Sequence, residues 1–130
     1  MRGSGRILIM DDEAMIRDAA GRILQAAGYD VDCAAEGSKA VELYRKAAEA
    51  GRPFDVVILD LTISGGVGGK ETLERLLEMD PSVTAIVSSG YSLDPIMVNY
   101  RDYGFTGVIA KPYKIRDLSE TVKRAITKNR

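Results

Sequence analysis

The run Val56-Val57-Ile58-Leu59, ending at Asp60, constrains the fold more than any other stretch of the chain. It shows no polar alternation, is rich in β-branched residues, and lies between Gly51-Arg52-Pro53 and a glycine-rich segment. Such a run predicts a central strand buried on both faces, and a parallel sheet of that kind needs helices on both sides. A buried strand that ends in a carboxylate delivers it to the carboxyl edge of the sheet, where open α/β folds place their chemistry. Asp60 is therefore the residue around which a site is sought.

The same alternation repeats along the chain. Ile7-Leu8-Ile9-Met10 predicts a strand that stops at Asp11-Asp12-Glu13, followed by a helix with Ile16, Ala19, Ala20, Ile23, Leu24 and Ala27 inward and Gly28 as its left-handed stop. Tyr29 to Ala34 predicts a second strand, and Ser38 the cap of a helix facing inward through Ala40, Val41, Tyr44, Ala47 and Ala48. After Asp60 come a third helix with Leu73, Leu76 and Leu77 and a fourth strand from Val83 to Ser88. Asp94-Pro95 opens a helix through Ile96, Met97, Tyr100 and Tyr103 to Gly104. Val108-Ile109-Ala110 closes a fifth strand, and Ile115, Leu118, Val122, Ala125 and Ile126 mark a last helix.

Five βα units predict one α/β domain, doubly wound and flavodoxin-like, a (βα)5 fold with parallel sheet order 2-1-3-4-5. Residues 1–5 read as an appended tag or disordered start and 6–130 as the domain. In that order the first and third strands flank the reversal of winding, so Asp11, Asp12 and Asp60 converge above a crevice. Ser88-Ser89-Gly90 and Lys111 end the fourth and fifth strands on the same edge.

Bulk properties narrow the partners. With 18 Lys and Arg against 19 Asp and Glu, the formal charge of −1 supplies no basic field to hold nucleic acid. The lone Cys33 cannot form an internal disulfide, and no long apolar run is present, so a soluble protein of the cytoplasm without membrane contact is expected.

Three carboxylates brought together repel by about 4 kcal/mol per pair at ~4 Å with an effective dielectric near ~20, so a cation must relieve them. The ligands are all oxygen and the chain has no histidine, which makes Mg²⁺ the expected ion. Singly, each acid would be an ordinary helix cap or strand-end turn residue; together at a switch point they are a site. Beside them Lys111 can balance charge and hold a phosphoryl oxygen, and one of Ser88 and Ser89 is expected to face the crevice. The loop Ser64-Gly65-Gly66-Val67-Gly68-Gly69-Lys70-Glu71 is neither a Walker A nor a dinucleotide fingerprint, lacking the first glycine and the metal-binding hydroxyl of the former. Its glycines are expected to let the chain turn sharply beside Asp60.

With Asp11-Asp12, Asp60, Ser89-Gly90 and Lys111-Pro112 in this order, the sequence from Arg6 onward resembles the receiver domain of two-component response regulators. The separation of Ser89 from Lys111 is the family's usual one. The resemblance implies that Asp60 accepts a phosphoryl group from a histidine kinase or histidine phosphotransfer domain. It also implies that Asp11 and Asp12, with the Thr62 backbone carbonyl, hold Mg²⁺, and that Ser89 and Lys111 engage the phosphoryl group. The Lys-Pro bond of the family is usually cis. The glycine loop and the Ser88-Ser89-Gly90-Tyr91 turn look most like receivers attached to hybrid sensor kinases, as an excised module or a stand-alone regulator, with homodimerisation open. Two departures stand out: Ser64 where the family usually has proline, and Val108 where many members carry a switch aromatic.

Two rival classes share parts of this pattern. A phosphohydrolase of haloacid dehalogenase type would begin at Asp60-Leu61-Thr62, but Thr62 stands where a second aspartate is needed as general acid. A flavodoxin-like electron carrier would want hydroxyls after the first strand, where Asp11-Asp12 would instead repel a phosphate.

Overall fold

The computed structural model describes residues 5–128. The elements run β1 (Arg6–Met10), α1 (Ala14–Ala26), β2 (Asp30–Ala34), α2 (Gly37–Glu49), β3 (Val56–Asp60), α3 (Gly69–Met79), β4 (Ala85–Ser89), α4 (Pro95–Val98), a 3₁₀ turn (Tyr100–Tyr103), β5 (Gly107–Ala110) and α5 (Ile115–Lys128). All strand pairs are parallel, in the order β2-β1-β3-β4-β5. Of the expected tag or disordered start, residues 1–4 lie outside the described residues. Gly5 joins the sheet margin, its carbonyl accepting from the Asp30 amide at 2.9 Å.

Successive residues of the central strands feed two separate cores, which is why β3 carries no polar alternation. Leu8, Met10, Val57, Leu59, Ala85 and Val87 pack with Ala40 and Tyr44 of α2 and Leu73 and Leu76 of α3. Ile7, Ile9, Val56, Ile58, Ile86 and Ile109 pack with Ala20 and Leu24 of α1 and Leu118 and Val122 of α5. Each large apolar side chain fully buried here contributes roughly 1.5–3 kcal/mol, so the sheet is a rigid platform for what stands at its carboxyl edge. Gly28 takes the expected left-handed conformation after α1, with φ 103°.

Several local expectations are corrected. Glu36, not Ser38, caps α2: its carboxylate accepts from the amides of Ser38 and Lys39, both at 2.9 Å, satisfying two donors where a serine would satisfy one. β4 starts at Ala85 and extends to Ser89, because its hydrogen-bonded register with β3 begins at Val57↔Ala85. Ala19, Ala48 and Ile115 are exposed rather than inward, the last two because they lie in the terminal turns of α2 and α5.

The helix expected from Pro95 to Tyr103 is broken. Asp94 caps its start, accepting from the Ile96 amide at 2.9 Å, but α4 lasts one turn and the chain continues as a 3₁₀ turn. At the break Asn99 has φ −109° and ψ 36°, and its side-chain amide donates back to the Pro95 carbonyl at 3.1 Å. Asparagine competes in this way with the helical backbone, and the tighter 3₁₀ pattern takes up the remainder. Gly104, at φ 96°, closes the segment as expected.

Candidate functional site

At the carboxyl edge β1 and β3 deliver their acids side by side. Asp11 is fully buried and Asp60 is 2% exposed. Carboxylate oxygens of Asp11, Asp12 and Asp60 lie within 4.8 Å of one another. Lys111, at the end of β5, reaches across with its Nζ 3.0 Å from Asp11 Oδ2 and 3.1 Å from Asp60 Oδ2. The lysine side chain is 12% exposed, so this pair of contacts is largely shielded from solvent screening.

Asp11 and Asp12 each also have a backbone donor. Asp11 Oδ1 accepts from the Glu13 amide at 2.9 Å, while the Asp11 carbonyl accepts from Arg17 Nη1 at 2.7 Å. Asp12 Oδ2 accepts from the Ser64 amide at 3.0 Å. Burial pushes the Asp60 carboxyl up to about 6, the Asp11 charge adds to that rise, and the Lys111 ammonium and Thr62 amide pull against it. For Lys111 the burial acts downward, but hydrogen bonds and charges from Asp11 and Asp60 outweigh it and hold the ammonium above its ordinary value.

Ser64, the departure from the family's proline, leaves the glycine loop well tied. Its amide, which proline lacks, makes the bond to Asp12. Further on, the Val67 amide donates to Glu36 Oε1 at 3.4 Å, the Gly37 amide donates to the Val67 carbonyl at 2.9 Å, and Thr72 Oγ1 donates to the Gly68 carbonyl at 2.7 Å. Within this loop only Gly65 has a positive φ, 73°, so the sharp turn expected of several glycines belongs to one. Gly68 and Gly69 serve close approach instead: a Cβ on them would stand 2.7 Å from the Leu61 carbonyl oxygen and 2.8 Å from that of Asp60.

The two serines of β4 divide. Ser88 pairs with Asp60 in the β3–β4 register, is fully buried, and shares a 2.6 Å hydrogen bond with the Tyr113 hydroxyl. Ser89 closes the strand, its Oγ accepting from the Tyr91 amide at 3.0 Å. Among the described residues no hydrogen bond joins either serine's hydroxyl to the Asp60 carboxylate or the Lys111 ammonium. Val108 is half-buried on β5 against the α2–α3 core, and the Lys111–Pro112 bond is cis. Arg17 and Tyr113 escaped the sequence reading, and Ser64 entered it only as a departure from the family's proline, without its bond to Asp12. Their contacts depend on the tertiary approach of separate loops, and no local spacing signals a backbone amide or a hydroxyl aimed at another strand.

A doubly wound sheet with a buried acidic cluster bridged by a strand-end lysine defines a class, and the comparisons agree. Residues 7–123 match the response regulator receiver domain, and the chain belongs to that family, the phosphoacceptor signalling domains of two-component systems. The match sets aside the phosphohydrolase and electron-carrier readings. The chain is 31% identical over 128 residues to a "Sensor kinase CckA" of Brucella abortus, covering 98% of this chain and 13% of that protein. It is 30% identical to "Sporulation initiation phosphotransferase F" of Bacillus subtilis, covering 92% of this chain and 91% of that one. A CheY-like receiver domain from Methanospirillum hungatei superposes with TM-score 0.83 at 28% identity, covering 98% of this chain and 97% of its own. In the described residues no helix is long and apolar enough to cross a membrane.

Proposed function

We propose that Asp60 is the phosphoacceptor of this receiver, and that a histidine kinase or histidine phosphotransfer domain is the donor. The observation that carries the reading is the Lys111 ammonium held between Asp11 and Asp60, with Asp12 beside them, at a buried carboxyl edge. A carboxylate oxygen of Asp60 attacks phosphorus as the bond to the donor imidazole nitrogen breaks, leaving an acyl phosphate on Asp60 and returning the electron pair to the imidazole. Lys111 then exchanges one carboxylate contact for a phosphoryl oxygen, and the Ser89 hydroxyl, which needs only to leave the Tyr91 amide, donates to another.

The three carboxylates suit a hard divalent cation such as Mg²⁺, with Asp11, Asp12, Asp60 and the Thr62 carbonyl as its holders. Such an ion, when bound, supplies charge neutralisation at the transferring phosphoryl group. The output reading is local: switching spreads through the loop from Ser88 to Pro95 and the start of α4. Half-buried Val108, with a stiff branched side chain, cannot exchange a ring between core and solvent. Cytoplasmic location, attachment to a hybrid sensor kinase, and homodimerisation belong to the same reading.

The test is phosphorylation by acetyl phosphate followed by intact mass. A gain of one phosphoryl group that needs Mg²⁺ and is absent in Asp60→Asn supports the assignment. Uptake that persists in Asp60→Asn, or that EDTA does not change, overturns it.

A further inference from the structure

β5 pairs with β4 as far as Ser89↔Ala110, and the Lys111 amide still donates to the Ser89 carbonyl at 2.9 Å. Beyond that the chain leaves the sheet. Among the described residues no backbone hydrogen bond ties residues 112–114 back to β4. One side chain does so: the Tyr113 hydroxyl meets Ser88 Oγ at 2.6 Å, while its ring packs against the core beneath α1 and α5. Ser88 stands opposite Asp60 on one side and Ile109 on the other, two residues before Lys111, so the contact falls between the acceptor and the lysine.

We propose that Tyr113 is a positioning residue for Lys111: its hydroxyl, locked to Ser88, fixes the turn after β5 and thereby sets where the ammonium stands relative to Asp11 and Asp60. The lysine side chain is flexible and its charge finds both acids only if its backbone is placed to within a fraction of an ångström. The pair is matched for that purpose. Ser88 is fully buried and cannot turn to water, and each hydroxyl satisfies the other. Burial pushes the Tyr113 hydroxyl up to about 12, so it remains a neutral tether across the working pH range and takes no part as a base.

The inference rests on Asp60 and Lys111 forming the phosphoryl site, and the experiment separates the two claims. Tyr113→Phe, Ser88→Ala and the double variant are compared with the parent in three measurements: the nitrogen-15 NMR signal of the Lys111 ammonium without metal, beryllofluoride affinity with Mg²⁺, and thermal melting. Tyr113→Phe is expected to move the ammonium signal toward that of a free lysine and to weaken beryllofluoride about fivefold, the scale for one side chain losing its pre-orientation. The double variant, which no longer buries an unpartnered hydroxyl, regains melting temperature relative to Tyr113→Phe. Its ammonium signal and affinity stay displaced.

Parental ammonium signal and affinity in Tyr113→Phe, with only the melting temperature lowered, would make Tyr113 a packing residue and overturn the inference. A displaced ammonium signal in a protein whose parent ignores beryllofluoride would uphold the positioning and sink the functional reading instead.

Discussion

Two loops rim the acidic site, and they are built in opposite ways. The β3–α3 loop is tied to its neighbours by bonds from Ser64 to Asp12, from Val67 to Glu36, and from Gly37 to Val67, and its glycines touch backbone on arrival at α3. Among the described residues the β4–α4 loop bonds only within itself and the start of α4: Tyr91 to Ser89, Asp94 to Tyr91, Ile96 to Asp94. A Cβ at Gly90 would meet nothing within 4 Å, and Tyr91 and Leu93 are 73% and 87% exposed. The first loop holds charges that would otherwise push apart, so it must be rigid. The second has few contacts to lose, which is the condition for a segment that moves at little cost when a hydroxyl beside it changes partner.

The contrast can be broken first at Gly69. Gly69→Ala forces a methyl against the Asp60 carbonyl oxygen, 2.8 Å away and part of the backbone, and is expected to destabilise by about 3 kcal/mol. Urea denaturation would measure it, and a loss below about 0.5 kcal/mol would show that the tied loop is softer than its contacts imply.

Charge gives the next largest effect. Asp60, raised to about 6, binds its proton more tightly folded than unfolded. Its protonation therefore contributes stability that is fully present below its ordinary value near ~4 and is lost as pH rises through about 6. In metal-free protein, Asp60→Asn should flatten that fall and gain about 2 kcal/mol near neutral pH. Melting curves between pH 4 and 8 would check the sign; an unchanged slope would contradict the buried-charge account.

Ser64 sharpens the comparison more finely. Ser64→Ala keeps the amide that holds Asp12 and should bind Mg²⁺ like the parent, whereas Ser64→Pro removes it and should weaken Mg²⁺ about three- to tenfold. Titration followed by amide shifts would separate them, equal affinities for both variants being the contrary result. The smallest effect belongs to the other rim: Gly90→Ala, with open space around it, should change stability by less than about 0.5 kcal/mol.

Much of this molecule was legible from its residues because the signals are short-range. Five apolar runs separated by helix-period segments admit one economical sheet order, and Asp11, Asp12, Asp60 and Lys111 lie at or just past strand ends, so the topology alone brings them to one edge. Where local signals compete, the reading slipped: Glu36 displaced Ser38 as a cap, and Asn99 divided a helix whose apolar spacing ran through it unbroken. Side-chain parity likewise could not say which partner each of Ser88 and Ser89 would find.

What the sequence by itself determined is the order of the elements, the two-sided core and the convergence of three acids and one lysine, since periodicity and strand ends are properties of neighbouring residues. Tertiary structure alone decided which donors hold those acids. The Ser64 amide on Asp12, the Lys111 ammonium shared between Asp11 and Asp60, and the Tyr113 hydroxyl on Ser88 each join residues far apart in the chain. Hydrogen bonds of this kind require placement within a few tenths of an ångström, and only the packed sheet and its loops fix positions that finely.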